Sequence, residues 1–320
     1  MTSASTTGAA TAATAATDSA GACRARQPRP RGPRVALRPG VRVVRRDSAH
    51  LQVGLDALQV VVPDTPATAS ILAELGSGQT VEPSRIDPLL RDRLDARGLL
   101  VDPAVMTALS PSGDRARASV TAAFAAHGPG AADHLAARRA LGVEVAGGPD
   151  WSAQARELLV VSGLTVRTPD RRRRHDHAVL LLLGTGEPER SRLDAAVRAG
   201  RPHLVVAAVQ GRVRIGPFVV PGVTACLRCL DAHLTEADPR RALVVEQQGE
   251  GPEPVDPVLA TLAVACAVRE LVTWAEGGRP STWSATRLAG AGAGEPLLGD
   301  VERWAPHPHC GCSWGNRLPT

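Results

Sequence analysis

The sequence predicts an α/β protein: a small winged-helix-like α+β unit, then a larger doubly wound α/β unit. Three observations predict it. Three short apolar strands are followed by about three helices between residues 34 and 102. Strand, helix, strand, strand, helix, strand follows between 143 and 209. One of those strands, Ala178-Val179-Leu180-Leu181-Leu182-Leu183, is apolar throughout, as a parallel strand covered on both faces must be.

The chain has 320 residues, enough for two domains and a sizeable core. Lysine and tyrosine are absent, and the 37 basic residues are all arginine. Alanine, glycine, proline and valine are abundant, which matches a GC-rich coding sequence better than a physical adaptation. The net charge of +5 is spread along the chain and is weak support for a nucleic-acid partner. No apolar run reads as long enough to span a membrane, and the N-terminus lacks a charged-then-apolar signal pattern. The expected location is cytoplasmic, with no membrane and no nucleic acid as partner.

Residues 1–33 are Ala/Thr/Gly-rich, then Arg/Pro-rich, and are expected to be a disordered tail carrying Cys23 and arginines at 24, 26, 29 and 31. Val41 to Arg45, His50 to Leu55 and Leu58 to Val62 read as strands, and Pro63 ends the third. Pro66 to Leu75 reads as a helix with Ile71, Leu72 and Leu75 on one face. A helical turn falls around Ser84. Asp87 and Pro88 open a further helix holding Leu89, Leu90 and Leu94, which Gly98 ends.

Such a unit has three readings. As a DNA reader it would show arginines on its last helix, but Arg91, Arg93 and Arg97 are offset by Asp87, Asp92 and Asp95. As a peptide binder it would add a strand to a free sheet edge. By alternation the groove residues would then be Leu58, Val60 and Val62 on the strand, with Leu90 and Leu94 on the helix; the same residues also suit a plain core. The third reading is a structural unit without a ligand.

Pro103 to Arg115 is looser and reads as a linker, placed at 103–117. Ala118 to Leu141 is helical, interrupted at His127-Gly128-Pro129-Gly130. Val143 to Ala146 is a strand running into Gly147-Gly148-Pro149; Trp151 to Val161 a helix; Leu164 to Val166 a strand. Leu193 to Ala199 is a helix and Leu204 to Val209 an apolar strand. Arg212 to Val220 leads to the first cysteine pair. Asp231 to about Pro257 reads as a polar crossover loop, Leu259 to Glu276 as a helix with Cys266 in its apolar pattern, and Thr282 to Leu288 and Asp300 to Trp304 as late strands.

Cys226-Leu227-Arg228-Cys229 and Cys310-Gly311-Cys312 are two short clusters, each able to offer two sulfurs to one ion. Four thiolates so arranged read as a closed, structural Zn²⁺ site without an open position for catalysis. Two disulfides or unconnected core cysteines are the competing readings. His175, His177, His307 and His309 are further possible metal donors, but four cysteines suffice. No Ser/His/Asp or Cys/His nucleophile set is present, so no catalytic residue is assigned.

Gly216-Pro217-Phe218-Val219-Val220-Pro221-Gly222, Cys226 to His233, Thr273-Trp274-Ala275-Glu276-Gly277, Ser281 to Thr286 and His307-Pro308-His309-Cys310-Gly311-Cys312 carry a resemblance. The chain resembles the ThiF/MoeB-like, ubiquitin-activating-enzyme-like family, over roughly residues 34 to 318. The nearer subgroup accompanies YcaO cyclodehydratases in making azole- and azoline-containing peptides. The resemblance implies a ThiF-like α/β domain at 118–320 and a winged-helix-like domain at 34–102 that binds the leader of a ribosomal precursor peptide. It also implies a YcaO-type partner and pairing of two copies. Two departures make the nucleotide site degenerate, so ATP is not expected. Gly147-Gly148-Pro149-Asp150-Trp151 stands where adenylating members have a Gly-rich phosphate turn, and Gly184-Thr185-Gly186 stands where they have a metal-binding aspartate. Asp170 falls near the end of the second strand, where an acid could hold a ribose, although a lone aspartate there more often is a solvated loop residue; Arg171 to Arg174 could contact phosphate, although a charge run is usually a solvated face.

Overall fold

The computed structural model describes residues 32–168, 178–248, 253–290, 292 and 296–312. Residues 1–31 of the expected tail, with Cys23 and its arginines, and Asp170, Arg171 to Arg174, His175 and His177 lie outside the described residues.

Strands β1 (Ala36–Leu37), β2 (Val43–Arg45), β3 (His50–Val53) and β4 (Val60–Pro63) open the chain. β2, β3 and β4 form an antiparallel sheet in that order, so β4 is an end strand. Helix α1 (Pro66–Gly76) is capped by Thr65, whose hydroxyl accepts the Thr68 N–H. Helix α2 (Pro88–Ala96) is capped by Asp87, which accepts the Leu90 N–H. Both carry proline in the first turn, where the missing N–H costs nothing. Leu51, Val53, Leu72, Leu75, Leu94 and Leu99 pack one small core between sheet and helices. β5 (Leu100–Val101) then pairs antiparallel with β1.

The expected linker is helical. Asp102 caps α3 (Pro103–Leu109) by accepting the Ala104 N–H at 2.8 Å. Met106 and Leu109, three residues apart, pack on a second core made by Val101, by Val120 and Phe124 of α4 (Asp114–His127), and by Leu135 of α5 (Ala131–Ala140). Two buried arginines tie this layer to its neighbours. Arg38 donates to the Ala125 and Ala126 carbonyls, placing a cation at the C-terminal end of α4. Arg138 of α5 donates to the Glu276 carboxylate, 2.7 Å from Nε.

The large sheet runs β12-β11-β10-β9-β8-β6-β7. β6 (Gly142–Gly147), β7 (Thr165–Arg167), β8 (Val179–Thr185) and β9 (His203–Val209) are parallel. β10 (Arg212–Val219), β11 (Ala285–Ala289) and β12 (Leu298–Arg303) are antiparallel. Side chains along β8 alternate between two cores. Leu181 and Leu183 meet α6 (Pro149–Val161) and α10 (Pro257–Ala275) on one face. Leu182 meets Leu193 of α7 (Arg190–Arg198) and Leu227 and Leu230 of α8 (Leu227–Ala237) on the other. Helices on both faces explain why β8 carries no polar side chain before Thr185.

Two expectations are corrected. The segment from Asp231 read as a crossover loop continues α8 to Ala237 and adds α9 (Arg241–Gln248). Leu227, Leu230 and Leu234 recur at helical spacing against Leu182 and Val205, a stripe hidden in sequence by the polar residues around it. α10 has 19 residues, and its 18-residue window has a mean hydropathy of 1.6, so by length and composition it could cross a membrane. Here Leu259, Val264, Val268, Leu271 and Val272 are buried against the sheet.

Candidate functional site

The four cysteines converge. Beyond β10, Val220 donates its N–H to Thr224 Oγ1 at 2.7 Å, and Ala225 donates to Ser284 Oγ at 2.9 Å. This tight turn makes Cys226 the N-cap of α8 and puts Cys229 in its first turn. A helix N-terminus favours negative charge, so this end of α8 suits thiolates held by a cation. The second pair arrives after β12. Cys310 donates its N–H to the His307 carbonyl, and Gly311 takes φ +76°, which turns Cys312 back toward the same point.

The sulfurs of Cys226 and Cys310 lie 3.4 Å apart, those of Cys229 and Cys312 3.3 Å, and those of Cys226 and Cys229 3.8 Å. All four lie within 4.8 Å of one another. A disulfide needs about 2.05 Å, so these are four unbridged thiols. Tetrahedral zinc with Zn–S bonds of about 2.3 Å sets its sulfurs about 3.8 Å apart, and the cluster fits that ion. A hydrogen bond from Cys226 and backbone N–H groups draw the Cys229 thiol down to about 4. The bond with Cys229 and burial push Cys226 up, burial and the Cys229 charge push Cys312 to about 12, and burial raises Cys310. Four packed sulfurs therefore oppose one another's ionisation, and a divalent cation would let all four ionise. His307 is no fifth ligand: its Nε2 contacts Glu236 at 3.0 Å and its Nδ1 accepts the His309 N–H at 3.2 Å.

A cavity of ≈ 450 Å³ opens at the C-terminal ends of β6 and β8, where the strand order reverses. Gly147, Gly148, Gly184, Gly186, Glu187 and Arg192 are among its walls. Gly147 has φ +149°, and a Cβ there would collide with the Leu183 carbonyl, so this glycine serves the close approach of two strands. Pro149 at the start of α6 removes one of the N–H groups a phosphate would need. An acid that sequence reading did not single out, Glu187, follows Gly186 at this rim. It is committed, with Arg190 at 2.9 Å and Arg214 at 3.1 Å. Burial opposes its ionisation, but the two guanidinium groups outweigh burial and hold its carboxyl below the usual range. Arg190 in turn grips Asp231 with two bonds of 2.8 and 2.9 Å.

The residues expected to line a peptide groove belong to β4, α2 and the turn before β4. Val60, Val62, Leu90 and Leu94 are buried in the core under β4 and α2, and Leu58 packs half-buried against it. On α2 Leu89 is 70% exposed, and two arginines that sequence alternation does not select reach back toward β4 and the turn before it. Arg93 donates to the Val61 carbonyl and Arg97 to the Ala57 carbonyl, each at 2.7 Å.

No protein-family model and no curated protein sequence matches the chain. Solved structures do. A heterocyclase in complex with substrate and cofactor matches with a TM-score of 0.66 and 17% identity, over 89% of this chain and 40% of that one. The heterocyclase TruD matches with a TM-score of 0.63 and 19% identity, over 88% and 43%. Escherichia coli MccB matches with a TM-score of 0.57 and 12% identity, over 90% of this chain and 98% of that one. The chain thus spans less than half the length of the heterocyclases and nearly all of MccB. At these identities the likeness is one of fold: the chain has the α/β architecture shared by heterocyclases and MccB.

Proposed function

We propose that the chain is a non-catalytic recognition subunit that binds the leader of a ribosomal precursor peptide and presents it to a YcaO-type cyclodehydratase. The observation that carries this reading is the end strand β4 lying beside α2. The winged-helix-like unit at 34–102 offers that edge to an extended segment, which gains backbone hydrogen bonds there. The ThiF-like unit, stapled by a structural zinc on Cys226, Cys229, Cys310 and Cys312, provides the surface on which the partner docks. Holding the leader raises the effective concentration of the remaining peptide at the partner's site. The partner, working in the cytoplasm with its own ATP, closes Cys, Ser or Thr side chains onto the preceding amide.

An adenylyltransferase is the rival reading, because MccB, which was also solved with ATP, shares the fold over nearly its whole length. The cleft argues against it: Gly147 is needed for strand packing, Pro149 withholds an N–H, and Glu187 is held by two arginines. The test is fluorescence polarisation of the full chain with the leader peptide encoded beside its gene, in zinc-replete buffer. Saturable binding, lost when proline is placed in the docking segment, is expected. ATP turnover by the isolated chain, with no leader binding, would overturn the proposal in favour of the rival.

A further inference from the structure

The charges on α2 balance in number but not in space. Each helical residue turns by about 100°. Leu90 and Leu94 therefore face the core, while Leu89, Arg93 and Arg97 form one strip along the helix, from which Arg93 reaches β4 and Arg97 the turn before it. Asp92 and Asp95 lie about 100° or more around the helix from Arg93. Neither Arg93 nor Arg97 makes an ion pair with any described residue. Their bonds go instead to the Val61 and Ala57 carbonyls. Two exposed guanidinium groups thus rest on neutral acceptors, one on β4 itself and one in the turn that leads into it. A carboxylate is the stronger acceptor for both.

The spacing says where the carboxylates belong. Four helical residues advance about 6 Å. Side chains on one face of an extended strand recur every second residue, about 6.7 Å apart. We infer that the segment taken up by β4 carries Asp or Glu at alternate positions, Asp/Glu-x-Asp/Glu. Those carboxylates draw Arg93 and Arg97 off their carbonyl partners. The Val61 carbonyl is then free to accept an N–H of the added strand, and Leu89 offers an apolar neighbour. This rests on the leader-binding reading above. A nucleic-acid phosphate would also attract arginine, but Asp92 and Asp95 flank the strip, and a duplex has no use for the Val61 carbonyl.

The test is fluorescence polarisation of the full chain at low salt. The probes are the fluorescein-labelled leader encoded beside the gene, the same peptide with its alternate acids changed to amides, and a labelled 20-base-pair duplex. Amide substitution is expected to weaken binding about tenfold. Arg93→Gln with Arg97→Gln is expected to bind acidic and amide peptides alike, at the amide level. Arg93→Glu with Arg97→Glu should bind the leader carrying Arg-x-Arg in place of its acids. Arg91→Gln, on the far side of α2, should behave as the parent. Leader binding that is abolished by proline yet indifferent to the amides and to Arg93 and Arg97 overturns this inference alone. No leader binding by the parent chain overturns it together with the reading it rests on, and so does tighter binding of the duplex.

Discussion

Alanine at position 147 tests whether that glycine serves architecture or a ligand. Gly147 closes β6 opposite Leu183 of β8 and has φ +149°, a conformation that side chains rarely adopt. A Cβ there would overlap the Leu183 carbonyl, with the carbonyl carbon at 2.8 Å and the Leu183 Cβ at 3.0 Å. Both obstacles belong to a central strand buried on both faces, so neither can swing aside as a flexible side chain would. Relief requires the ends of β6 and β8 to part. Overpacking of a rigid core costs about 1–3 kcal/mol, and forcing a residue with Cβ into an unfavourable φ costs about 1–2 kcal/mol more. Gly147→Ala should therefore lose about 2–5 kcal/mol of a total of order 5–15 kcal/mol. The neighbour is the control. Gly148 has nothing within 4 Å of a Cβ and sits at φ −56°, so Gly148→Ala should be within about 0.5 kcal/mol of the parent. Urea unfolding followed by circular dichroism reads both. Equal stability of the two variants would refute the packing argument and would return the Gly-Gly turn to the role of a ligand cradle.

Purified protein should carry one zinc per chain by plasma mass spectrometry, and Cys310→Ser should lower both zinc content and melting temperature; full zinc retention would exclude the four-sulfur site. Because zinc displaces thiol protons, its apparent affinity should fall as pH drops, read by competition with a chromogenic chelator. Glu187→Gln leaves Arg190 and Arg214 without their shared carboxylate, and a loss of about 3–5 kcal/mol is expected for a broken buried pair. The Glu187 carboxyl is held below its ordinary value of 4.5, so its contribution is complete above that pH and is lost as acid carries the pH through the folded-state value. The parent should therefore show an acid-dependent loss of stability that Glu187→Gln lacks. Asp102→Ala removes the cap of α3 and should cost about 1 kcal/mol in the same denaturation assay.

Some of this architecture was legible because local chemistry announces it. Thr65-Pro66 and Asp87-Pro88 mark helix starts, and α1 and α2 begin there. The run from Val179 to Leu183 has nothing polar to offer water, so it had to be covered twice. Other elements were misread where polar residues masked a stripe or where the partner surface is distant in sequence. α3 is short, and its Met106 and Leu109 acquire meaning only from α4 and α5. α8 looked like the start of a loop because its outer face is charged. Alternation along β4 and α2 selected the core residues Val60, Val62, Leu90 and Leu94, since burial and ligand contact leave the same apolar pattern.

By itself the sequence determined what depends on neighbours in the chain: the strand and helix order, the caps, and the two cysteine clusters with their capacity for one metal ion. Only the tertiary structure decided what depends on distance across the chain. It brought Cys226 and Cys310 within 3.4 Å although 84 residues separate them. It made Glu187 the shared partner of Arg190 and Arg214. It segregated the charges of α2, leaving Arg93 on a β4 carbonyl and Arg97 on the turn before that strand. Side-chain type is written in the sequence, but an electrostatic interaction depends on separation and burial, and the folded chain sets both.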